Sequence, residues 1–260
     1  MSRQMGSTIA TGSRSVVREW GTDAVAKVPL ASTPEGWVRY EASFTDAVWR
    51  CGAPVPKVLD LLVIEGREVS IFERVRGPSM WDAVVAEPST AVVAGRELAE
   101  LHALVLSIRP PLAVPDQATR LACKIRAAVR AGRESAVEFL EQIPPLVRPR
   151  ALCHGDFHPK NVMLGPNGPI VVDWFDVSSG EAAADIARTM LLLSGDGAVD
   201  GTDERSPSHL PGASAEVLRT VADSYRGSIA LLVEFSDVEL ERWRSVQMVA
   251  RQSEEMSIVA

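Results

Sequence analysis

Four side chains that can carry chemistry fall within eight positions of one another: His154, Asp156, His158 and Asn161. They sit in the stretch Leu-Cys-His-Gly-Asp-Phe-His-Pro-Lys-Asn-Val-Met-Leu, between short apolar runs where a core would be expected. After a Gly-Pro-Asn-Gly turn, a second apolar run, Ile170 to Val172, ends directly on Asp173. This pattern predicts a hairpin-like pair of strands whose ends present Asp156, Asn161 and Asp173 to one point. An oxygen-only donor set of that kind suits a hard cation such as Mg2+, and it leaves one carboxylate to handle a proton. Two plainer readings stand beside this one: His154 as a core histidine with both ring nitrogens satisfied, and the three oxygen-bearing residues as turn caps. The i, i+4 spacing of His154 and His158 also occurs in helical zinc motifs, but Pro159 and the strand-like run before it argue against a helix here.

The composition confines the elements that hold these residues. The chain has 260 residues, 46% hydrophobic and 23% charged, with a net charge of -7, which fits a soluble globular protein with one large core or two lobes. No apolar run is long enough to span a bilayer and the N-terminus lacks a signal-peptide pattern, so the expectation is a cytoplasmic protein without a membrane partner. The acidic balance disfavours nucleic acid, whose phosphates need clustered Lys and Arg. Cys51, Cys123 and Cys153 are odd in number and widely spaced, and read as small core residues. Only four of the 27 basic residues are lysines, namely Lys27, Lys57, Lys124 and Lys160.

Taken in order, residues 1–7 read as polar and frayed. Three short strands follow, Thr8–Thr11, Val16–Trp20 and Ala24–Val28, separated by Gly12-Ser13-Arg14-Ser15 and Gly21-Thr22-Asp23. Lys27 lies in the apolar context Ala-Val-Ala-Lys-Val, where a buried ammonium needs a partner. Ser32-Thr33-Pro34-Glu35 carries helix-start signals, and in the helix expected after it Trp37, Glu41, Phe44 and Val48 fall on one stripe. Glu41 is therefore a carboxylate on a buried face, and Lys27 is its natural cation. Two further strands are expected about the Glu65-Gly66 turn. Beyond Gly77-Pro78 helical periodicity dominates: Met80–Val85, Ser89–Leu106, Asp116–Ala131, Glu134–Ile143, Glu181–Leu193, Ser214–Val233 and Asp237–Ile258, with a Gly- and Ser-rich loop at 194–212.

The pattern His-x-Asp-x-x-x-x-Asn, followed by an apolar strand ending in Asp, resembles the catalytic core of the kinase-like superfamily. The form His-Gly-Asp-Phe-His-Pro-x-Asn, with Asp-Trp twelve residues after the Asn, is similar to the aminoglycoside phosphotransferase and choline kinase branch. The resemblance implies an α+β, two-lobed protein-kinase-like fold, with a small antiparallel-sheet N-lobe over 1–77 and a larger, mostly helical C-lobe over 78–260. It implies ATP or GTP as phosphoryl donor and Mg2+ as cofactor. By residue, it implies Asp156 as the group that orients the acceptor hydroxyl, Asn161 and Asp173 as metal ligands, and Lys27, steadied by Glu41, on the phosphates. The Ser13 and Ser15 turn would lie over the phosphates, although an ordinary hairpin turn is an equal reading, and backbone groups near Glu73 and Val75 would meet the adenine edge. Asp185 would brace the catalytic loop, and Asp176 would sit behind the metal site. Trp174-Phe175 stands where protein kinases have Phe-Gly, and Lys160 where relatives often have Gly.

Eleven residues separate Asp173 from Asp185, too few for a long activation segment, and no Ala-Pro-Glu follows, which disfavours a protein kinase. The remaining expectation is phosphorylation of a small-molecule hydroxyl. Alternatives are a kinase of choline, homoserine or a sugar, or a nucleotide-binding pseudoenzyme. Between Glu181 and Glu241 twelve acidic residues face four arginines. In relatives this segment helps line the acceptor cleft, so a cationic acceptor is expected, an aminoglycoside-like antibiotic foremost.

Overall fold

The structure, a computed structural model, describes residues 5–130, 132–143, 150–194, 210 and 212–259. It begins with five strands, β1 (Met5–Thr11), β2 (Ser15–Trp20), β3 (Ala24–Pro29), β4 (Val58–Ile64) and β5 (Arg67–Glu73), in one antiparallel sheet ordered β1-β2-β3-β5-β4. Alternation along β3 and β5 gives the sheet two faces. Ala24, Ala26, Val69 and Ile71 form a small apolar cluster on one face. Lys27 sits opposite Ser70 on the other, the face that receives helix α1 (Trp37–Arg50). The strand expected from Thr8 in fact starts at Met5, because Ser7 donates to Glu19 and Arg18 donates to the Gly6 carbonyl, which ties the N-terminal residues to β2.

Helix α1 begins at Trp37, five residues after the cap the sequence suggests. Its N-cap position is Gly36, in the left-handed region with φ 77° and with no side-chain cap. The reason is competition: the Thr33 hydroxyl donates to the Arg14 carbonyl, and Leu30 N–H donates to the same carbonyl, so residues 30–36 fasten onto the first hairpin turn. The predicted stripe survives the later start, since Glu41, Phe44 and Val48 are all buried.

The remainder is helical with two small strand pairs. Its helices are α2 (Met80–Ala86), α3 (Ala91–Ser107), α4 (Gln117–Arg130) and the short α5 (Glu138–Gln142). Next come β6 (Ala151–Cys153), β7 (Val162–Gly165), β8 (Gly168–Val171) and β9 (Ser178–Gly180), then α6 (Ala182–Ser194), α7 (Ala215–Leu232) and α8 (Asp237–Val259). β7 and β8 form the expected hairpin across Gly165–Gly168, whereas β6 pairs with β9. The main core joins Trp81, Leu98, Ile125, Leu152, Phe157, Trp174, Ile186 and Ile229. Helices α3 and α7 approach closely at Gly95, where a Cβ would stand 2.5 Å from the Val221 carbonyl oxygen. Among the described residues no helix is long and apolar enough to cross a membrane. Most of the 194–212 loop lies outside the described residues.

Cysteine placement departs from expectation. Cys153 is buried in β6, but Cys51 and Cys123 are exposed, since both fall on the solvent side of helix ends or faces despite apolar neighbours in sequence. A thiol-reactive dye should therefore titrate two thiols rapidly in the native protein and a third only after denaturation, which mass spectrometry of the labelled chain would check.

Candidate active site

The site is assembled from the end of β6, the loop after it, the turn after β8, and β3 with α1. His154 follows β6 directly. Its Nε2–H donates to the Val172 carbonyl at 3.0 Å and its Nδ1 accepts from the Asp156 N–H at 3.2 Å. Burial depresses the affinity of this ring for a proton against the pull of nearby carboxylates. It is thus a core histidine with both nitrogens used, as one of the sequence readings had it. Among the described residues no cluster of three or more His, Cys, Asp and Glu suits a metal, so the zinc reading finds no support in them.

One carboxylate holds the loop backbone. Asp185, near the start of α6, accepts from His154 N–H at 2.7 Å and from Gly155 N–H at 2.8 Å, and it takes a third contact from His102 Nε2 at 3.1 Å. His102 Nδ1 in turn meets the Tyr225 hydroxyl at 2.6 Å, and its ring stacks on Phe157 at 4.1 Å. A residue with a side chain could not replace Gly155: its φ is 82°, and a Cβ would lie 2.4 Å from the Asp176 carbonyl oxygen. The bend this permits turns Asp156 into the site.

Asp156 is surrounded by donors and cations. Asn161 Nδ2 donates to its backbone carbonyl at 3.0 Å and reaches Oδ2 at 3.3 Å; His158 Nε2 lies 3.4 Å from Oδ2 and Arg188 Nη2 3.6 Å from Oδ1. Burial would raise its proton affinity, but His158 and Arg188 outweigh it and hold the carboxyl well below the usual range.

On the opposite wall Lys27 Nζ lies 2.6 Å from Glu41 Oε1 and 3.2 Å from Asp173 Oδ1, and 5.3 Å from the Trp37 ring centroid. Burial works against the ammonium, but the two carboxylates more than compensate and keep it charged. Burial also pushes Glu41 up, to about 7, with Lys27 pulling the other way. Asp173 itself has left-handed backbone, φ 66°, which a non-glycine residue adopts only where its surroundings impose it. The expected pair is thus a triad, and its third member is the proposed metal ligand.

Val172 N–H donates to the Asn161 carbonyl at 2.9 Å, which sets Asn161 beside Asp173. With Nδ2 spent on Asp156, the Asn161 amide has its Oδ1 to offer, and Asp173 supplies carboxylate oxygen. This oxygen-only pair would suit a hard cation such as Mg2+.

The other expected residues lie farther out. Ser13 is exposed at the tip of the β1–β2 turn, while Ser15 is buried where β2 opens, and no hydrogen bond joins either side chain to Lys27 among the described residues. Glu73 ends β5 with its N–H given to Lys57; Val75 follows, and among the described residues its N–H has no protein acceptor.

Several residues here escaped sequence reading. Phe175 stacks on Trp37 at 4.4 Å and tilts against Tyr40. Arg120, from α4, donates to Asp176, to the Tyr40 hydroxyl and to the Phe175 carbonyl, and Lys124 lies 2.9 Å from Asp176. Arg188 carried a signal that could have found it: it is three residues past Asp185, hence on the same helical face. A cavity of about 430 Å³ also lies between α6, α7 and α8, rimmed by Asp223, Asp237 and Glu241 but also by Arg226 and Arg244.

With this geometry in place the chain can be set beside known proteins. The sequence model of the phosphotransferase enzyme family matches residues 9–223. The chain belongs to that family. Among curated proteins none matches the sequence. In structure, this phosphotransferase-family chain is similar to aminoglycoside-3'-phosphotransferase of type VIII, with a TM-score of 0.64, 18% identity, and 95% of this chain and 93% of the other covered. It is similar to APH(2")-IIia solved with GDP and kanamycin, with a TM-score of 0.59, 16% identity and 98% and 86% covered. It is also similar to an amicoumacin kinase solved with AMP-PNP, Ca2+ and Ami, with a TM-score of 0.54, 13% identity and 95% and 79% covered. The fold is accordingly kinase-like, an antiparallel sheet lobe beside a helical one, as the motif implied.

Asp185 offers a pH test. Burial alone would raise its carboxyl, but the hydrogen bond from His102, the neighbouring His102 and His154 rings and the Gly155 N–H bring it below the ordinary 3.8. A carboxylate depressed on folding contributes stability that is complete above the ordinary value and is lost as pH falls through the lower folded one. Asp185→Asn should therefore lower the melting temperature at neutral pH, and the gap to the wild type should narrow as pH drops below about 4 in thermal unfolding followed by circular dichroism.

Proposed function

We propose that this protein is a nucleoside-triphosphate- and magnesium-dependent O-phosphotransferase that phosphorylates a hydroxyl of a small cationic molecule, an aminoglycoside-like antibiotic foremost. The observation that carries the reading is the meeting of Lys27, Glu41 and Asp173 on one wall with Asp156 and Asn161 on the other, in a chain of this family. Phosphoryl transfer passes through a loose transition state, so positioning and charge neutralisation supply most of the catalysis. Lys27, held by Glu41, would bind the phosphates. Asp173 and Asn161 would hold Mg2+, which neutralises phosphate charge when bound. Asp156 would accept a hydrogen bond from the acceptor hydroxyl and align its oxygen with the phosphorus. The Val75 N–H and backbone near Glu73 would receive the base, and the Ser13–Ser15 turn would cover the phosphates. The division at residue 77 belongs to this proposal, with the nucleotide seated between the two parts.

Support for nucleotide and metal comes from relatives solved with GDP, and with AMP-PNP and Ca2+; support for the acceptor comes from the relative solved with kanamycin. The acidic segment adds a weaker argument. Of its described members, Asp185 is buried at the start of α6 and Glu181 just before it is half-buried, while Glu216, Asp223, Glu234, Asp237, Glu239 and Glu241 are exposed on α7, α8 and the link between them. Asp196, Asp200, Asp203 and Glu204 lie outside the described residues.

An ADP-release screen over kanamycin and other cationic antibiotics, amino alcohols and neutral sugars tests the reading, and no release with any acceptor would sink it. Asp156→Ala should lower turnover by about a hundred- to ten-thousand-fold, the usual size for loss of an acid or base group, with calorimetric affinity for Mg-ATP retained. Asp173→Ala should instead abolish magnesium-dependent nucleotide binding. If the acceptor is cationic, its Michaelis constant should rise between low salt and about 0.15 M, since exposed charges are screened over roughly 8 Å there. A neutral acceptor with a salt-indifferent constant would overturn that part alone.

A further inference from the structure

The two oxygens of the Asp156 carboxylate have different surroundings. Oδ2 faces Asn161 Nδ2 at 3.3 Å and His158 Nε2 at 3.4 Å. Oδ1 faces the Arg188 guanidinium at 3.6 Å, an ion-pair separation too long for a good hydrogen bond. Among the described residues no donor lies within hydrogen-bonding distance of Oδ1. One oxygen is thus anchored, and the other is backed by a charge yet keeps a lone pair free.

Arg188 comes to this place at a cost. It is 2% exposed on a helix whose neighbouring residues Ile186, Ala187, Leu191, Leu192 and Leu193 are all core. Burying a guanidinium is unfavourable unless a carboxylate offsets it, and the carboxylate it faces is the one that points into the site. One turn of α6 supplies both parts of the arrangement: Asp185 clasps the His154 and Gly155 amides, and Arg188, three residues on, faces the Asp156 side chain.

We infer that Arg188 is a positioning residue for phosphoryl transfer, fixing the rotamer and charge of Asp156 so that Oδ1 receives the acceptor hydroxyl. The inference rests on the role proposed above for Asp156. A guanidinium stays protonated at any working pH, so the carboxylate beside it remains an anion. Such a carboxylate is a weak base but a good fixed acceptor, and a loose transition state asks for orientation of the hydroxyl before removal of its proton.

The test uses the full chain with Mg-ATP, measuring phosphate release with water as acceptor and ADP release with kanamycin. Arg188→Met should lower kcat by about 10- to 100-fold, the range seen when a group that orients a reacting side chain is lost, with the KM for ATP changed by less than about threefold. Arg188→Lys, which keeps the charge with a shorter reach, should fall between wild type and Arg188→Met. It carries the kcat-against-KM comparison alone if Arg188→Met does not fold. In an Asp156→Asn background the Arg188→Met change should cost nothing further, because its target is gone. Wild-type kcat in Arg188→Met, or a full additional loss in the double variant, overturns the inference. Full activity in Asp156→Asn itself, or no activity of either kind in the wild type, instead overturns the reading of Asp156 and the inference with it.

Discussion

A buried ammonium must be neutralised where it stands, and in this protein that requirement draws three elements to one point. Lys27 projects from β3 with 12% of its side chain accessible, against a Glu41 side chain that is 3% accessible. One carboxylate from α1 and one from the turn after β8 meet it. The Lys27–Glu41 pair could not separate without leaving a charge unpaired in a poorly solvated place, whereas Asp173 is more exposed and adds a second, longer contact. The aromatic contacts serve the same geometry: Trp37 and Phe175 stack between α1 and the residues after Asp173, and Arg120 adds hydrogen bonds to Tyr40 and to the Phe175 carbonyl. The first turns of helix α1 are thereby fastened to the turn that carries Asp173.

The loop between β6 and the hairpin has only one 3-10 turn of its own, Pro159–Asn161, so the shape of its first half depends on donors and acceptors supplied by helices. Asp185 is the hub. It converts the packing of α3, α6 and α7 into a fixed loop backbone, through His102 to α3 and through the Tyr225 hydroxyl to α7. The close approach of α3 and α7 at Gly95 is consistent with this, since it brings His102 and Tyr225 within hydrogen-bonding reach. A core packing detail distant in sequence is thus connected to the direction in which Asp156 points.

What could be read from the sequence follows the range of each interaction. Lys27 and Glu41 were legible because a charged residue on an apolar strand or stripe announces a missing partner, and the loop was legible because its chemistry is compressed into eight positions. The start of α1 was misread because the cap signal is local while Thr33 is used by Arg14, nineteen residues away. Strand β9 was not read because Ser178-Ser179-Gly180 is three residues long and has no alternation of polarity. Cys51 and Cys123 were misplaced because apolar neighbours in sequence do not fix which face of a helix a residue occupies. Arg120 was not read because only the tertiary fold brings Asp176 against it, and for Arg188 the spacing from Asp185 marks a helical face but not the Asp156 carboxylate that lies against it.

The same fold gives two aspartates of one site opposite characters. Asp173 is 44% accessible, strained in its backbone and tied to a single lysine, so in the proposed role it has carboxylate oxygen to offer a cation. Asp156 is 26% accessible and enclosed by Arg188, His158 and Asn161, an environment that fixes an anion in place and leaves one oxygen for a single further hydrogen bond. The proposed transfer, with a triphosphate on one side and a neutral hydroxyl on the other, would use this asymmetry. Exchanging the two environments would leave Asp173 already compensated and Asp156 free to turn, so the order of cations around each carboxylate, more than the carboxylates themselves, separates the two roles proposed for them.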